Sequence, residues 1–394
     1  MKMLFVHDHY FKVSGETYYS GGGLPAGIWS RYLDVCSSLT VVGRDGGILE
    51  AGEKGYTVSS TEGVNFRLLP NVSNLRNLLL GNRAFRKSCE SLVAESDGII
   101  ARMPSRLGTL FVREAVRQKK PYAVEVVGCA WGGLWDYGNW KAKIFAPFAA
   151  LSTRNAISGA PYALYVTERF LQQRYPCKGV TTFCSNVDIP AVANKVLEDR
   201  LVKLNSKAPK LLFGLIGNYS SKYKGIDVAV RALALASNHL PEWEFQVLGA
   251  GDPSEYVDLS QKLGISERIK FIGTKASGQP IYNWLDGVDI YLQPSYQEGL
   301  PRALIEAMSR GCPALATSIA GIPELLGSGE MIQAGDYRDL AEKIASLASD
   351  AKRMEALALS NFEKSKLFYR DVLGSRRNEF WLSFRKYIES GHLH

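Results

Sequence analysis

Several absences narrow this chain before any motif is read. Its 394 residues hold no uninterrupted apolar run of about 18 residues, so no membrane-spanning helix is expected. The six cysteines (Cys36, Cys89, Cys129, Cys177, Cys184, Cys312) are scattered with no C-x-x-C pair, which argues against a disulfide framework or a zinc site and makes core fillers of most of them. Only five histidines are present, and no D-x-D triplet occurs. The triple Gly21-Gly22-Gly23 does not match G-x-G-x-x-G, and the second expected strand ends Val42-Gly43-Arg44 without the acidic residue that would hold the ribose of NAD. The N-terminus, Met1 to Asp8, regains charge after four apolar residues, too few for a secretory signal, so a cytoplasmic protein is expected.

What is present suits a folded chain of two domains. Hydrophobic content of 46% and charged content of 22% are globular values, and the length exceeds one ordinary core. The net charge of +8 is unevenly placed: residues 1–190 carry +7 and residues 191–394 carry +1. Anionic partners compatible with this include nucleic acid, an anionic membrane surface and phosphorylated acceptors. No recognition motif accompanies the basic excess, so nucleic acid is not expected as a partner. The densest basic stretch sets Arg76, Arg83, Arg86 and Lys87 among Leu75, Leu78, Leu79, Leu80 and Phe85. It reads first as a solvated helix face and second as a membrane-docking face.

Short apolar strands alternate with longer helical segments, which predicts an α/β fold with parallel sheets. The first half offers strands at Met3 to His7, Leu39 to Val42, Phe66 to Leu69, Gly98 to Ala101, Tyr122 to Val127, Ala163 to Thr167 and Val180 to Phe183, with a helix from Leu24 to Val35. A new first strand, Lys210 to Ile216, opens the second half after a polar stretch. Two Rossmann-like domains are therefore expected, an acceptor-binding one at 1–190 and a donor-binding one at 209–370, joined by a linker at 191–208. Their strand tips would face a central cleft. A last helix within 371–394 carries Phe380, Trp381, Phe384 and Tyr387, too apolar on one face to be a loose end.

The chemistry concentrates in Tyr296 to Glu306, where Glu298 and Glu306 flank a loop-to-helix junction marked by Gly299 and Pro301. A helix starting near Pro301 turns free backbone N–H groups and the positive end of its dipole toward the strand tips, where a diphosphate is readily held. Gly217 opens a second such loop, Gly217-Asn218-Tyr219-Ser220-Ser221-Lys222-Tyr223-Lys224-Gly225, and Gly23 lies in a third. If the second loop is extended, Lys222 and Lys224 face the same way. The stretch from Trp131 to Trp140 holds three tryptophans and a tyrosine among glycines. With Asp136 and Asn139 it suits a saccharide, or else the membrane interface beside a lipid-linked one, and a folded-back mini-core is the structural alternative. Tyr10, Tyr18 and Tyr19 could add to it.

These motifs resemble the family-4 retaining glycosyltransferases. That family's signature is E-G-x-P-x-x-x-x-E, met here from Glu298 to Glu306, with Gly311-Cys312-Pro313 and Gly321-Ile322-Pro323-Glu324 following in pattern. The resemblance implies a GT-B fold whose terminal helix crosses back to the N-terminal domain. It implies a nucleoside-diphosphate sugar as donor and co-substrate, no other cofactor, no metal, and a saccharide or lipid-linked saccharide as acceptor. It assigns Glu298 to the reacting sugar and Glu306 to the ribose. Gly217, Asn218, Lys222, Lys224, Gly299, Leu300, Pro301 and Gly23 join the donor, and His7, His9, Tyr18, Trp131 and Trp135 the acceptor. The chain departs from the pattern twice. Asn218 stands at the usual arginine, for which Lys222 is the substitute, and Val127 at the usual histidine, for which His7 or His9 is. Cell-surface polysaccharide or glycoconjugate synthesis follows as the expected role, with peripheral attachment to the inner membrane face. A nucleotide-sugar epimerase on the same fold and a non-catalytic saccharide-binding protein are the competing readings.

Overall fold

A computed structural model describes residues 1–53, 55–70, 83–135, 140–206 and 210–391, with side chains at 84, 133–135 and 140–143 excepted. Most of the basic stretch, at 71–82, lies outside the described residues, as does the Trp135 side chain. The chain divides into two compact units: one is Met1–Trp131, Ile144–Cys184 and Gly374–His394; the other is Gly132–Lys143 and Ser185–Leu373.

The first unit is built on strands β1 (Lys2–Ser14), β2 (Thr17–Ser20), β3 (Ser38–Ile48), β4 (Thr57–Val58), β5 (Val64–Leu69), β6 (Gly98–Met103), β7 (Tyr122–Val126), β8 (Tyr162–Tyr165) and β9 (Val180–Phe183). The parallel order is β5-β3-β1-β6-β7-β8-β9, and β2 and β4 extend it as antiparallel additions beside the far half of β1. Strands such as Tyr122–Val126 are buried at every position, as a sheet covered on both faces requires. β1 runs seven residues beyond the expected His7 because a hairpin partner, β2, pairs with its second half. Helix Leu24 to Val35 is correspondingly shorter: only Ala26–Ile28 (3-10) and Ser30–Leu33 are helical.

The terminal helix Arg370–Glu389 joins this unit from Gly374 onward. Trp381 is buried with its ring 5.6 Å from Tyr32, and Phe380 and Phe384 stand 5.6 and 5.3 Å from Tyr162. The aromatic stripe read from sequence is thus core, and the crossing back of the last helix is observed.

The second unit contains a six-stranded parallel sheet of β10 (Leu211–Ile216), β11 (Trp243–Leu248), β12 (Ile269–Gly273), β13 (Ile290–Gln293), β14 (Ala314–Thr317) and β15 (Met331–Ile332) in the order β12-β11-β10-β13-β14-β15. The order reverses between β10 and β13, and loops that leave two such strands in opposite directions open a crevice at their C-terminal ends. The stretch expected as a linker contains helix Asn194–Asn205, which packs within this unit. Its Arg200, 3% exposed, donates to the carbonyls of Arg310 at 3.0 Å and Leu285 at 2.8 Å, satisfying the open C-terminal ends of two helices. A polar composition had concealed a buried cap.

Candidate functional site

Glu298 and Lys224 meet in the second unit beyond the C-terminal ends of β10 and β13, and Glu306 lies on the helix that follows Glu298. Loop Gly217–Ser221 leaves β10 and loop Pro294–Leu300 leaves β13. The 3-10 turn after the first loop ends at Gly225, where a Cβ would lie 2.0 Å from the Pro294 carbonyl oxygen, and Gly225 also has a left-handed φ of +67°. A Cβ on Gly249, in the loop after β11, would meet the Gly217 oxygen at 1.9 Å. Glycine is required at both positions because backbone fills the space where a side chain would begin.

Glu298 is held by one oxygen. Its Oε1 accepts hydrogen bonds from Lys224 Nζ at 2.7 Å, Gln293 Nε2 at 2.9 Å and Ser295 Oγ at 2.8 Å. The Lys224 and Glu298 side chains are 16% and 9% exposed, so the pair is little screened. Gln293 is itself held by Tyr291, whose hydroxyl donates to Oε1 at 3.0 Å, and the Gln293 amide also donates to Ser295 Oγ at 2.7 Å. Gln293 and Ser295 are fully buried. The sequence reading missed these positioning residues, although two signals were present: a polar residue closing an apolar strand, and a serine three places before the glutamate.

Helix Arg302–Ser309 follows with Pro301 at its N-cap and no side chain capping it. Proline has no N–H, so the free donors at this end begin at Arg302, and Pro301 contributes only its fixed φ. Glu306 lies on this helix, and no side chain among the described residues donates a hydrogen bond to it. Burial is the main cause that pushes its carboxyl up to about 7; Arg302 opposes this and Asp188 adds to it. A half-buried carboxylate poised near neutrality gains from hydroxyl donors, as a diol would supply.

The two lysines separate. Lys222–Lys224 is a 3-10 turn rather than an extended segment, so residues two apart do not share a face. Lys224 meets Glu298, whereas Lys222, 74% exposed, pairs with Glu255 at 2.7 Å. Asn218 is exposed, and its Oδ1 accepts from Ser220 N at 2.8 Å, which shapes the loop.

In the first unit, His7 and His9 lie within β1, where pairing with β6 ends at Val6. His7 Nδ1 is 3.1 Å from the Arg102 carbonyl oxygen, and His9 Nε2 is 2.8 Å from Ser20 Oγ. Burial, with Arg102 in second place, lowers both to about 4, so both are neutral at pH 7. Tyr18 belongs to β2, not to a loop, and stacks on Phe66 with centroids 4.5 Å apart. Gly23 follows β2 in a bend, rather than following β1 directly. Trp131 is the second residue of helix Ala130–Trp135, half-buried, with the Arg174 guanidinium 5.7 Å from its ring centroid; the tryptophan stretch therefore opens in helix where a loop was expected.

In the first unit the start of helix Arg106–Arg117 is filled from within. Asp8 caps helix Arg106–Arg117: its Oδ2 accepts from Ser105 Oγ at 3.1 Å and Leu107 N at 3.2 Å, and from Arg106 N, while Arg44 Nε donates to Oδ1 at 2.8 Å. A carboxylate already occupies the place an anion would take. Among the described residues, no three His, Cys, Asp or Glu side chains gather as a metal site.

Residues 210–350 match the family model for glycosyl transferases group 1. Protein CapJ of Staphylococcus aureus is 26% identical over all of this chain and 98% of its own length. The amylovoran biosynthesis glycosyltransferase AmsK of Erwinia amylovora is 32% identical over 32% of this chain and 33% of its own. The crystal structure of Anabaena HepE in complex with UDP superposes with a TM-score of 0.62 at 16% identity, covering 99% of each chain. The likeness over nearly the whole chain shows a GT-B fold, and residues 210–350 are the part that matches the glycosyl transferases group 1 model.

Proposed function

We propose that this protein is a retaining glycosyltransferase that moves a hexose or related sugar from a nucleoside-diphosphate sugar to a saccharide or lipid-linked saccharide in the synthesis of a cell-surface polysaccharide or glycoconjugate. The observation that carries the reading is the Lys224–Glu298 pair beside an uncapped helix start, in the crevice where the sheet order reverses. The name of AmsK and the UDP in HepE support the substrate class.

In the reaction, the bond from the anomeric carbon to the diphosphate oxygen breaks and a bond to the acceptor oxygen forms on the same face. The acceptor's proton passes to the leaving phosphate oxygen. Charge grows on the diphosphate as it leaves, and Lys224 with the N–H groups of Gly299, Leu300, Arg302 and Ala303 stabilises it. Glu298, fixed through Oε1, faces the sugar and stabilises positive character at the anomeric carbon. Glu306 accepts from the ribose hydroxyls. The residues need no metal for these roles. The first unit would receive the acceptor, with His7, His9, Tyr18 and Trp131 as candidate contacts.

A thermal-shift screen of nucleotides and nucleotide sugars identifies the donor, because ligands of the native state raise its stability by mass action. NMR of the product formed with a saccharide acceptor then reads the anomeric configuration. Retention with acceptor-dependent release of nucleoside diphosphate is expected. Inversion would refute the retaining assignment, and isomerised donor without acceptor would make the protein an epimerase.

A further inference from the structure

The hydrogen bonds behind Glu298 run in one direction. β10 pairs with β13 at Phe213 and Gly214, so the Ile216 N–H, two residues on, lies beyond the last strand partner on that side. It donates instead to Tyr291 Oη at 3.3 Å. A backbone N–H can only donate and a tyrosine hydroxyl has a single proton, so that proton is left for Gln293 Oε1 at 3.0 Å. With the amide oxygen turned to Tyr291, its two N–H bonds point the other way, one to Ser295 Oγ at 2.7 Å and one to Glu298 Oε1 at 2.9 Å. Ser295, having accepted from the amide, donates its own proton to Glu298 Oε1 at 2.8 Å.

Every proton in this chain has one place, and the side chains that carry them are out of water. Tyr291, Gln293 and Ser295 are fully buried, and burial pushes the Tyr291 hydroxyl well above its ordinary range, which keeps the proton on Oη. Thr317 Oγ1, also buried, donates to the Ser295 carbonyl at 2.6 Å and holds the loop from β14. Bonds aligned head to tail in a low dielectric polarise one another, so a change at one end is felt at the other. The Tyr291 hydroxyl itself makes no hydrogen bond to Glu298. Glu298 Oε1 takes three donors, and Oε2 takes none among the described residues.

We propose that Tyr291 is a positioning residue of this site: working through Gln293, it fixes the amide so that Glu298 is held by Oε1 with Oε2 left for the sugar, and it ties that alignment to the strand end from which the Gly217 loop departs. The consequence for turnover rests on the transferase reading, whereas the linkage itself is a property of the free protein.

Two measurements on the full chain test the two parts. In heteronuclear NMR spectra of the free protein, the side-chain amide pair that disappears in Gln293→Leu is the Gln293 signal. Tyr291→Phe shifts that pair and speeds its exchange with water by about three- to tenfold, the worth of one neutral hydrogen bond. In single-turnover release of nucleoside diphosphate, Tyr291→Phe is slower by about three- to tenfold and Gln293→Leu by about 10- to 100-fold, with donor affinity by calorimetry within about twofold in both. The double variant is no slower than Gln293→Leu alone, because Tyr291 acts through Gln293. Phenylalanine keeps the shape of Tyr291, and Ser295→Ala, which removes the last donor of the chain, gives a second variant slowed about tenfold at the same donor affinity. A Gln293 amide unmoved by Tyr291→Phe overturns the proposal, as do losses that multiply in the double variant or a fall in donor affinity that matches the fall in rate. Wild type that releases no nucleoside diphosphate refutes the transferase reading instead, and the amide signals then decide the linkage alone.

Discussion

The pH dependence of donor affinity follows from the position of Glu306. Its carboxyl is raised from 4.5 to about 7 in the free protein. Ribose hydroxyls donating to it favour the ionised form, so a bound nucleotide returns its pKa toward the ordinary value. Affinity is then reduced by protonation of the free site and rises with pH. With a free value of about 7 and a bound value of 4.5, linkage gives binding about 25-fold tighter at pH 8 than at pH 5.5, or about 2 kcal/mol. His7 and His9, lowered to about 4, are already neutral across this window. Titration calorimetry at several pH values, with UDP-glucose or whichever nucleotide sugar stabilises the protein more, measures the slope. Glu306→Gln flattens it and binds weakly at every pH. Equal slopes in wild type and Glu306→Gln would refute the ribose role.

Other consequences follow from the same geometry. Because the folded-state pKa of Glu306 is raised, its stabilising contribution is fully present below 4.5 and is lost as pH rises through about 7. Denaturant unfolding of the second unit without ligand therefore shows a loss of up to about 3 kcal/mol over that window, absent in Glu306→Gln. Lys224→Met weakens donor binding by about 10- to 100-fold, the scale of a lost charge-assisted hydrogen bond, whereas Lys222→Met stays within about twofold; calorimetry on both distinguishes the inward lysine from the outward one. Gly225→Ala forces a Cβ to 2.0 Å from the Pro294 oxygen at a left-handed φ, and is expected to cost more than about 2 kcal/mol in urea unfolding. Trp381→Ala empties part of the first unit's core and costs about 3–5 kcal/mol there, read by near-UV circular dichroism during denaturation.

Much of this fold was legible because parallel strands buried on both faces leave continuous apolar runs, as in Leu211 to Ile216. The E-x7-E spacing placed Glu298 and Glu306 correctly on a strand, loop and helix unit. What escaped was set by contacts distant in sequence. Arg200 looked like linker surface, because the carbonyls it caps lie some 85 to 110 residues away. Lys222 and Lys224 looked equivalent until a 3-10 turn separated them. His7 appeared to end its strand because the partner that prolongs β1 arrives from a hairpin.

Single-turnover release of nucleoside diphosphate in the presence of acceptor, measured for wild type and Glu298→Gln with donor affinity determined on the same preparations, tests the central claim most directly. The amide keeps the shape of Glu298, so donor affinity changes by less than about tenfold, while release falls by about a thousandfold or more. Turnover by Glu298→Gln at the wild-type rate, with the donor bound, would contradict the account.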